Sequence, residues 1–211
     1  QKAEKVVVCE YNRAHITRTL MHLKELPIVL PNKPYPENIK KNNNISSYKE
    51  VASFVNKLSK KKIILYQGIL DEERPLDGFI SAVDELGEDY VFVVMSDHDA
   101  YANIKSKNYY FINYIPAPRH LEVTSHAFIG VLSYVPNYGG YSSPLNSIYC
   151  APNKIYEYAA FGIPMIGNDI PGLKYSLEYH KMGVCIDNRK KNEIIDRSEE
   201  RRVGKECLEW W

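Results

Sequence analysis

The sequence predicts an α/β fold built on a doubly wound parallel sheet, and three observations carry that expectation. Short apolar runs suited to buried strands, such as Ile63–Tyr66 and Val91–Met95, alternate with stretches of helical period. Hairpin signals between these runs are few, so successive strands must be joined by crossovers. The 211 residues suffice for one good-sized core, or for one domain with part of a second.

Taken in order, Val6–Cys9 reads as a strand, Asn12–Leu23 as a helix and Ile28–Leu30 as a second strand. Lys33–Ile45, rich in Pro, Asn and Lys, has the composition of a linker or surface loop. Ser47-x-x-Glu50 forms a capping box for a helix carrying Val51, Phe54, Val55 and Leu58 on one face. The strand Ile63–Tyr66 ends in Gln67-Gly68, and a loop of about eight residues leads to a helix bearing Leu76, Phe79, Ile80 and Val83. Strands follow at Val91–Met95, Tyr109–Ile112 and Ala127–Tyr134, with a short helix at Arg119–Ser125. Val135–Tyr149 is a long aromatic loop, read either as a lid or as a surface excursion. Pro152 suits a first helical position and Gly162 with Pro164 a helix stop, which predicts a helix at Asn153–Phe161 and a buried strand at Ile163–Gly167. Gly183–Asp187 reads as a last strand.

Composition removes several classes. A formal net charge of +1 argues against a nucleic-acid partner held by bulk charge, and Ser59–Lys62 reads as a solvated helix end. No apolar run approaches the roughly 20 residues that span a bilayer, and no stretch resembles a signal peptide, so a soluble cytoplasmic protein is expected. Cys9, Cys150, Cys185 and Cys207 are widely spaced and form no C-x-x-C pair, which points to reduced thiols. Asp97-His98-Asp99 is a weak metal candidate, because adjacent side chains on a strand end point apart. His120 and His126, flanking a short helix, read as packing or surface residues.

The candidate site lies in two stretches. A helix N-terminus beside a sheet offers unpaired N–H groups and partial positive charge, which suits the Asn153 helix to phosphate. Lys154 adds a cation in the first turn, and Glu157 can accept hydrogen bonds from sugar hydroxyls; both are otherwise simply solvated. Gly68 lets the backbone turn closely beside a ligand, and Arg74, six positions later, can return over the same edge to grip a diphosphate or else lie in solvent at a helix start. Parallel sheets bind ligands at the carboxyl ends of their strands, where Gly68, the loop after Tyr134 and the Asn153 helix converge.

The segment P-N-K-x-x-E-Y-x-A-x-G-x-P at Pro152–Pro164 resembles the donor-site segment of the "group 1" glycosyltransferases with the GT-B fold, particularly bacterial polysaccharide-building members. The resemblance implies a Rossmann-like, nucleotide-sugar-binding C-terminal domain at 33–196, preceded at 1–32 by a remnant of the N-terminal acceptor domain and its linker. Gly68 to Arg74 is similar to that family's G-x-x-x-x-x-K/R segment, although Ile69 and Pro75 replace a frequent arginine and glycine. By resemblance Gly68, Asn153 and Glu157 bind the donor, Glu157 at its ribose. Arg74 and Lys154, with the helix N-terminus, stabilise the departing diphosphate without a metal or other cofactor. Each such charge-assisted hydrogen bond contributes roughly 1.5–3 kcal/mol. The family's paired glutamates are broken here, because Tyr149 occupies the first position.

The implied activity is transfer of a sugar from a nucleoside diphosphate to a glycan or lipid-linked acceptor, with peripheral membrane association through the N-terminal domain. An epimerase of related fold and a noncatalytic nucleotide-binding module are the alternatives. The chain opens on Gln1 and closes on Arg197–Trp211, a run without hydrophobic period that resembles a translated sequencing adapter. Both ends are therefore expected to be those of a fragment, which binds nucleotide but transfers no sugar, and 197–211 is set aside as non-native, the alternative being a genuine charged C-terminal helix.

Overall fold

The computed structural model describes residues 4–35, 48–58, 60–139 and 143–203, with side chains to residue 200. A small parallel sheet comes first, β1 (Val7–Val8) and β2 (Ile28–Val29), joined through α1 (Tyr11–Leu20). The helix stops before the expected Leu23, because His22 takes a left-handed conformation at φ 50°. The Ser47 capping box and most of the expected linker lie outside the described residues.

The larger body contains α2 (Lys49–Leu58), β3 (Lys62–Gln67), α3 (Asp77–Leu86), β4 (Tyr90–Ser96), β5 (Tyr109–Asn113), α4 (His120–Thr124) and β6 (Ile129–Leu132). It continues through α5 (Pro144–Ile148), α6 (Asn153–Ala160), β7 (Met165–Asn168), α7 (Pro171–Lys174), a π-helical turn at Tyr175–Tyr179, β8 (Gly183–Ile186) and α8 (Lys191–Val203). Its strands form one parallel sheet in the order β5-β4-β3-β6-β7-β8. The chain thus winds outward in one direction from β3 and in the other from β6, which makes the β3/β6 boundary the topological switch point.

Alternation along the strands divides the core. Ile63 and Leu65 face a cluster with Phe54 of α2, Val123 of α4 and Ile155 of α6, whereas Ile64 and Tyr66 face one with Phe79 and Val83 of α3 and Ile194 of α8. Helices cover both faces, so the central strands are apolar on both sides, as a doubly wound sheet requires.

Several boundaries differ from the sequence reading for identifiable reasons. β6 is shorter than Ala127–Tyr134 because the Tyr134 N–H is taken by the Asn168 side chain at 2.7 Å. The strand expected at Ile163 begins at Met165, since the Ile163 N–H closes α6 on the Tyr158 carbonyl at 3.0 Å and Pro164 has no N–H to give. Pro152 precedes α6 as its extended N-cap and is not its first helical residue. The long aromatic loop contains α5, and α8 runs on to Val203, into the stretch set aside as a tail. Ser198 of that stretch is buried, and 204–211 lies outside the described residues.

Candidate active site

The site begins with how α6 is seated. Tyr158 lies flat against β6 at Gly130, where a Cβ would come within 2.4 Å of its ring, and its hydroxyl donates to the Leu65 carbonyl at 2.8 Å. That close approach fixes α6 across the switch point. Lys154 and Glu157, on the same short helix, are then presented to one cleft with Asn153. No side chain caps the N-terminus of α6, which leaves its first N–H groups for a ligand.

The cleft, of about 340 Å³, is lined by Gly68, Arg74, Asn153, Lys154 and Glu157, together with Gln67 and His120. All five residues singled out in the sequence therefore meet at the carboxyl edge of the sheet. Gly68 continues β3 with φ 125°, a conformation that suits glycine, and a Cβ there would stand 3.4 Å from the Lys154 Nζ. Arg74 follows on the same loop and pairs with Asp71. A larger cleft of about 490 Å³ lies beside it along β7 and β8, but its carboxylates Asp169, Asp187 and Glu193 are already paired with Lys174, Arg189 and Lys190.

The smaller cleft is lined by two cations. The Lys154 ammonium sits 4.0 Å from the ring centroid of Tyr66 and 5.5 Å from that of Tyr134, and the Arg74 guanidinium lies 5.2 Å from the Tyr134 ring. Neither cation is simply solvated: Lys154 is 8% exposed and the Arg74 side chain 16%. Among the described residues no carboxylate pairs with Lys154. Burial, and secondarily the Arg74 charge, push its ammonium down to about 7. The cation expected from the sequence is thus a desolvated one, which an incoming anion would stabilise. Burial likewise raises the neighbouring Cys150 thiol to about 12, so Cys150 offers no thiolate.

The same cleft holds a hydrogen-bonded carboxylate. Gln67 Nε2 donates to Glu157 Oε2 at 2.6 Å, and His120 Nε2 lies 3.1 Å from Glu157 Oε1. His120, expected to be a packing or surface histidine, therefore lines the candidate cleft in contact with Glu157, whereas His126 packs against Phe54. Sequence pattern held no sign of this, because the contact joins α4 to α6 across 37 residues. Gln67 carries no sequence signal beyond its place at the end of a strand. Met95, Ile115 and Ala117 supply an apolar wall beyond the carboxylate.

Other candidates fall elsewhere. Contrary to the expectation that adjacent side chains point apart, His98 contacts Asp97 at 2.9 Å, whereas Asp99 turns away and accepts from Tyr109; among the described residues no cluster suited to a metal occurs. Cys9, Cys150 and Cys185 are free thiols. Tyr149, at the position where a first glutamate is expected, accepts from Arg13 Nε through its carbonyl at 2.6 Å.

A doubly wound parallel sheet flanked by helices, with a cleft at its switch point, defines a Rossmann-like α/β fold. Solved glycosyltransferases of the GT-B type share this fold. Sucrose-phosphate synthase from Thermosynechococcus elongatus matches with a TM-score of 0.63 at 15% identity, over 96% of this chain and 50% of that one. Anabaena HepE in complex with UDP gives 0.67 at 11%, over 97% and 56%, and WaaG, a glycosyltransferase involved in lipopolysaccharide biosynthesis, gives 0.61 at 15%, over 96% and 55%. The chain spans about half the length of these structures. No family model and no curated protein sequence matches it significantly. Among the described residues no helix is long and apolar enough to cross a membrane.

Proposed function

We propose that this chain is the donor-binding half of a glycosyltransferase, which moves a sugar from a nucleoside diphosphate to a glycan or lipid-linked acceptor in building a bacterial surface polysaccharide. The observation that carries the reading is the convergence of Arg74, from the loop after β3, with Lys154 and Glu157 of α6 on one cleft at the switch point. The acceptor class rests on the sequence resemblance and on the fold shared with WaaG. HepE, whose solved complexes contain UDP and UDP-glucose, makes a uridine nucleotide the natural first probe.

In this reading the diphosphate lies on the N-terminus of α6 between Arg74 and Lys154. As the glycosidic bond to phosphate breaks, negative charge grows on the departing oxygen, and the two cations stabilise it more than they stabilise the intact donor. Arg74 offers a planar fork of donors and Lys154 a compact charge. Glu157 accepts from the ribose hydroxyls and sets the register, so that the bond to be broken faces the acceptor side. It removes no proton. The cationic pair supplies the charge that a metal would otherwise bring, so donor binding proceeds with a chelator present.

Calorimetric titration of UDP, GDP and ADP into the 211-residue chain tests the reading. Binding of at least one, insensitive to EDTA, with no sugar transferred to acceptor by the chain alone, is the expected result. Absence of binding by all three favours a decayed module, and turnover by the chain alone overturns the division into halves.

A further inference from the structure

Glu157 is held by more than its own helix. A glutamate side chain has several free torsions, yet both oxygens here have a fixed neighbour: Gln67 from the end of β3 and His120 from the start of α4. Gln67 has one permitted amide orientation. Its Oε1 accepts from the buried Thr124 hydroxyl at 2.7 Å, so Nε2 must face the carboxylate; the flipped amide would set oxygen against oxygen. The Thr124 hydroxyl also lies 3.1 Å from the His120 carbonyl, which ties both supports to the same turn of α4.

His120 is similarly constrained. Its Nδ1 is buried with no hydrogen-bond partner among the described residues, so a hydrogen placed there would be an unsatisfied donor. The arrangement suits the tautomer with hydrogen on Nε2, pointing at Glu157. No lysine or arginine among the described residues forms an ion pair with that carboxylate. Its side chain is 13% exposed and lines the cleft. An ionised carboxylate has about four acceptor positions. One on each oxygen is taken by Gln67 and His120, and the remainder are left for a ligand in the cleft.

We propose that Gln67 and His120 are positioning residues, which lock the Glu157 carboxylate in the orientation that receives a vicinal diol, one hydroxyl on each oxygen. The proposal rests on the nucleotide-binding reading above and deepens it. It assigns to these two side chains the discrimination of ribose from deoxyribose, and leaves diphosphate affinity to Arg74 and Lys154 in the same cleft. A carboxylate free to rotate would meet one hydroxyl at a time and lose most of that discrimination.

The test uses the 211-residue chain and three probes: the tightest-binding ribonucleoside diphosphate, its 2′,3′-dideoxy analogue and inorganic pyrophosphate. The wild-type chain is expected to prefer the ribonucleotide by about tenfold or more. Gln67→Leu and His120→Phe should each bring that ratio close to one while changing pyrophosphate affinity less than about twofold. His120→Gln, which retains an N–H donor, should recover part of the ratio; Gln67→Glu, which sets carboxylate against carboxylate, should recover none. A ratio that survives both Gln67→Leu and His120→Phe overturns the proposal, as does a parallel loss of pyrophosphate affinity, which would mark a merely structural role. A wild-type chain that binds all three probes without preferring ribose removes the Glu157 assignment and this proposal with it. A wild-type chain that binds no probe defeats instead the nucleotide-binding reading on which both stand.

Discussion

Lys154 carries its ammonium 4.0 Å from the ring centroid of Tyr66, enclosed between two tyrosines and beside a second cation. Its charge is therefore costly in the empty cleft and useful in a filled one.

The pH dependence of stability follows from that position. Lys154 is held down to about 7, whereas an unfolded lysine titrates near 10.4. Between those values the unfolded chain binds more protons, so stability contributed by this group rises with pH across that window. Below about pH 7 both states are charged and the full cost of burial is felt. Lys154→Met should thus be more stable than the wild type near neutral pH, with the difference shrinking toward about pH 10. Urea unfolding of both chains across that range checks this, and a difference independent of pH would contradict it.

Ligand affinity should move the opposite way. A diphosphate requires the charged ammonium, so UDP binding should weaken above about pH 7, by up to about tenfold per pH unit, and Lys154→Met should flatten that slope. Titrations at several pH values in one buffer series measure it.

Arg74→Ala and Glu157→Ala should each lose donor affinity by roughly 1.5–3 kcal/mol, the range for hydrogen bonds to charged groups. They should differ in kind. Arg74→Ala weakens pyrophosphate as well as UDP, whereas Glu157→Ala weakens UDP alone. Equal losses for both probes in both variants would reject the division of the cleft.

Gly130→Ala tests the seating of α6. The added methyl meets the Tyr158 ring at 2.4 Å in a packed core, and such overpacking costs about 1–3 kcal/mol. Denaturant unfolding should show the loss. UDP affinity should fall too, because α6 carries Lys154 and Glu157. Unchanged stability would mean that α6 can shift without cost.

Arg13→Ala concerns the link between the small sheet and the site. Arg13 reaches from α1 to the carbonyls of Tyr149 and Asn146 at 2.6 and 3.1 Å. Its removal should raise proteolytic cleavage around α5 while leaving urea unfolding of the larger sheet nearly unchanged. Wild-type cleavage kinetics in the variant would show that the link does not hold the loop.

The order of elements and the residues Gly68, Arg74, Asn153, Lys154 and Glu157 were legible in the chain, because apolar period, glycine and proline punctuation and the Pro152–Pro164 pattern are local signals. What those signals could not carry was the environment of each side chain. In sequence Lys154 is an added charge in a first turn; packing against Tyr66 and Tyr134 makes it a desolvated amine. The role of His120 leaves no local trace, α5 lies unannounced in an aromatic loop, and α8 shows in sequence only as the alternative of a charged C-terminal helix, since a short or highly charged helix has little apolar period to declare it.

The amino-acid order by itself determined that a parallel sheet would form and which ionisable groups would reach its carboxyl edge. Only the tertiary structure decided that Gln67, His120 and Thr124 would lock Glu157, and that a methyl-free strand at Gly130 would admit Tyr158 and seat α6. The physical reason is one of range. Strand and helix periods repeat within a few residues, whereas hydrogen bonds and close packing join side chains that lie tens of residues apart and meet only once the sheet has closed.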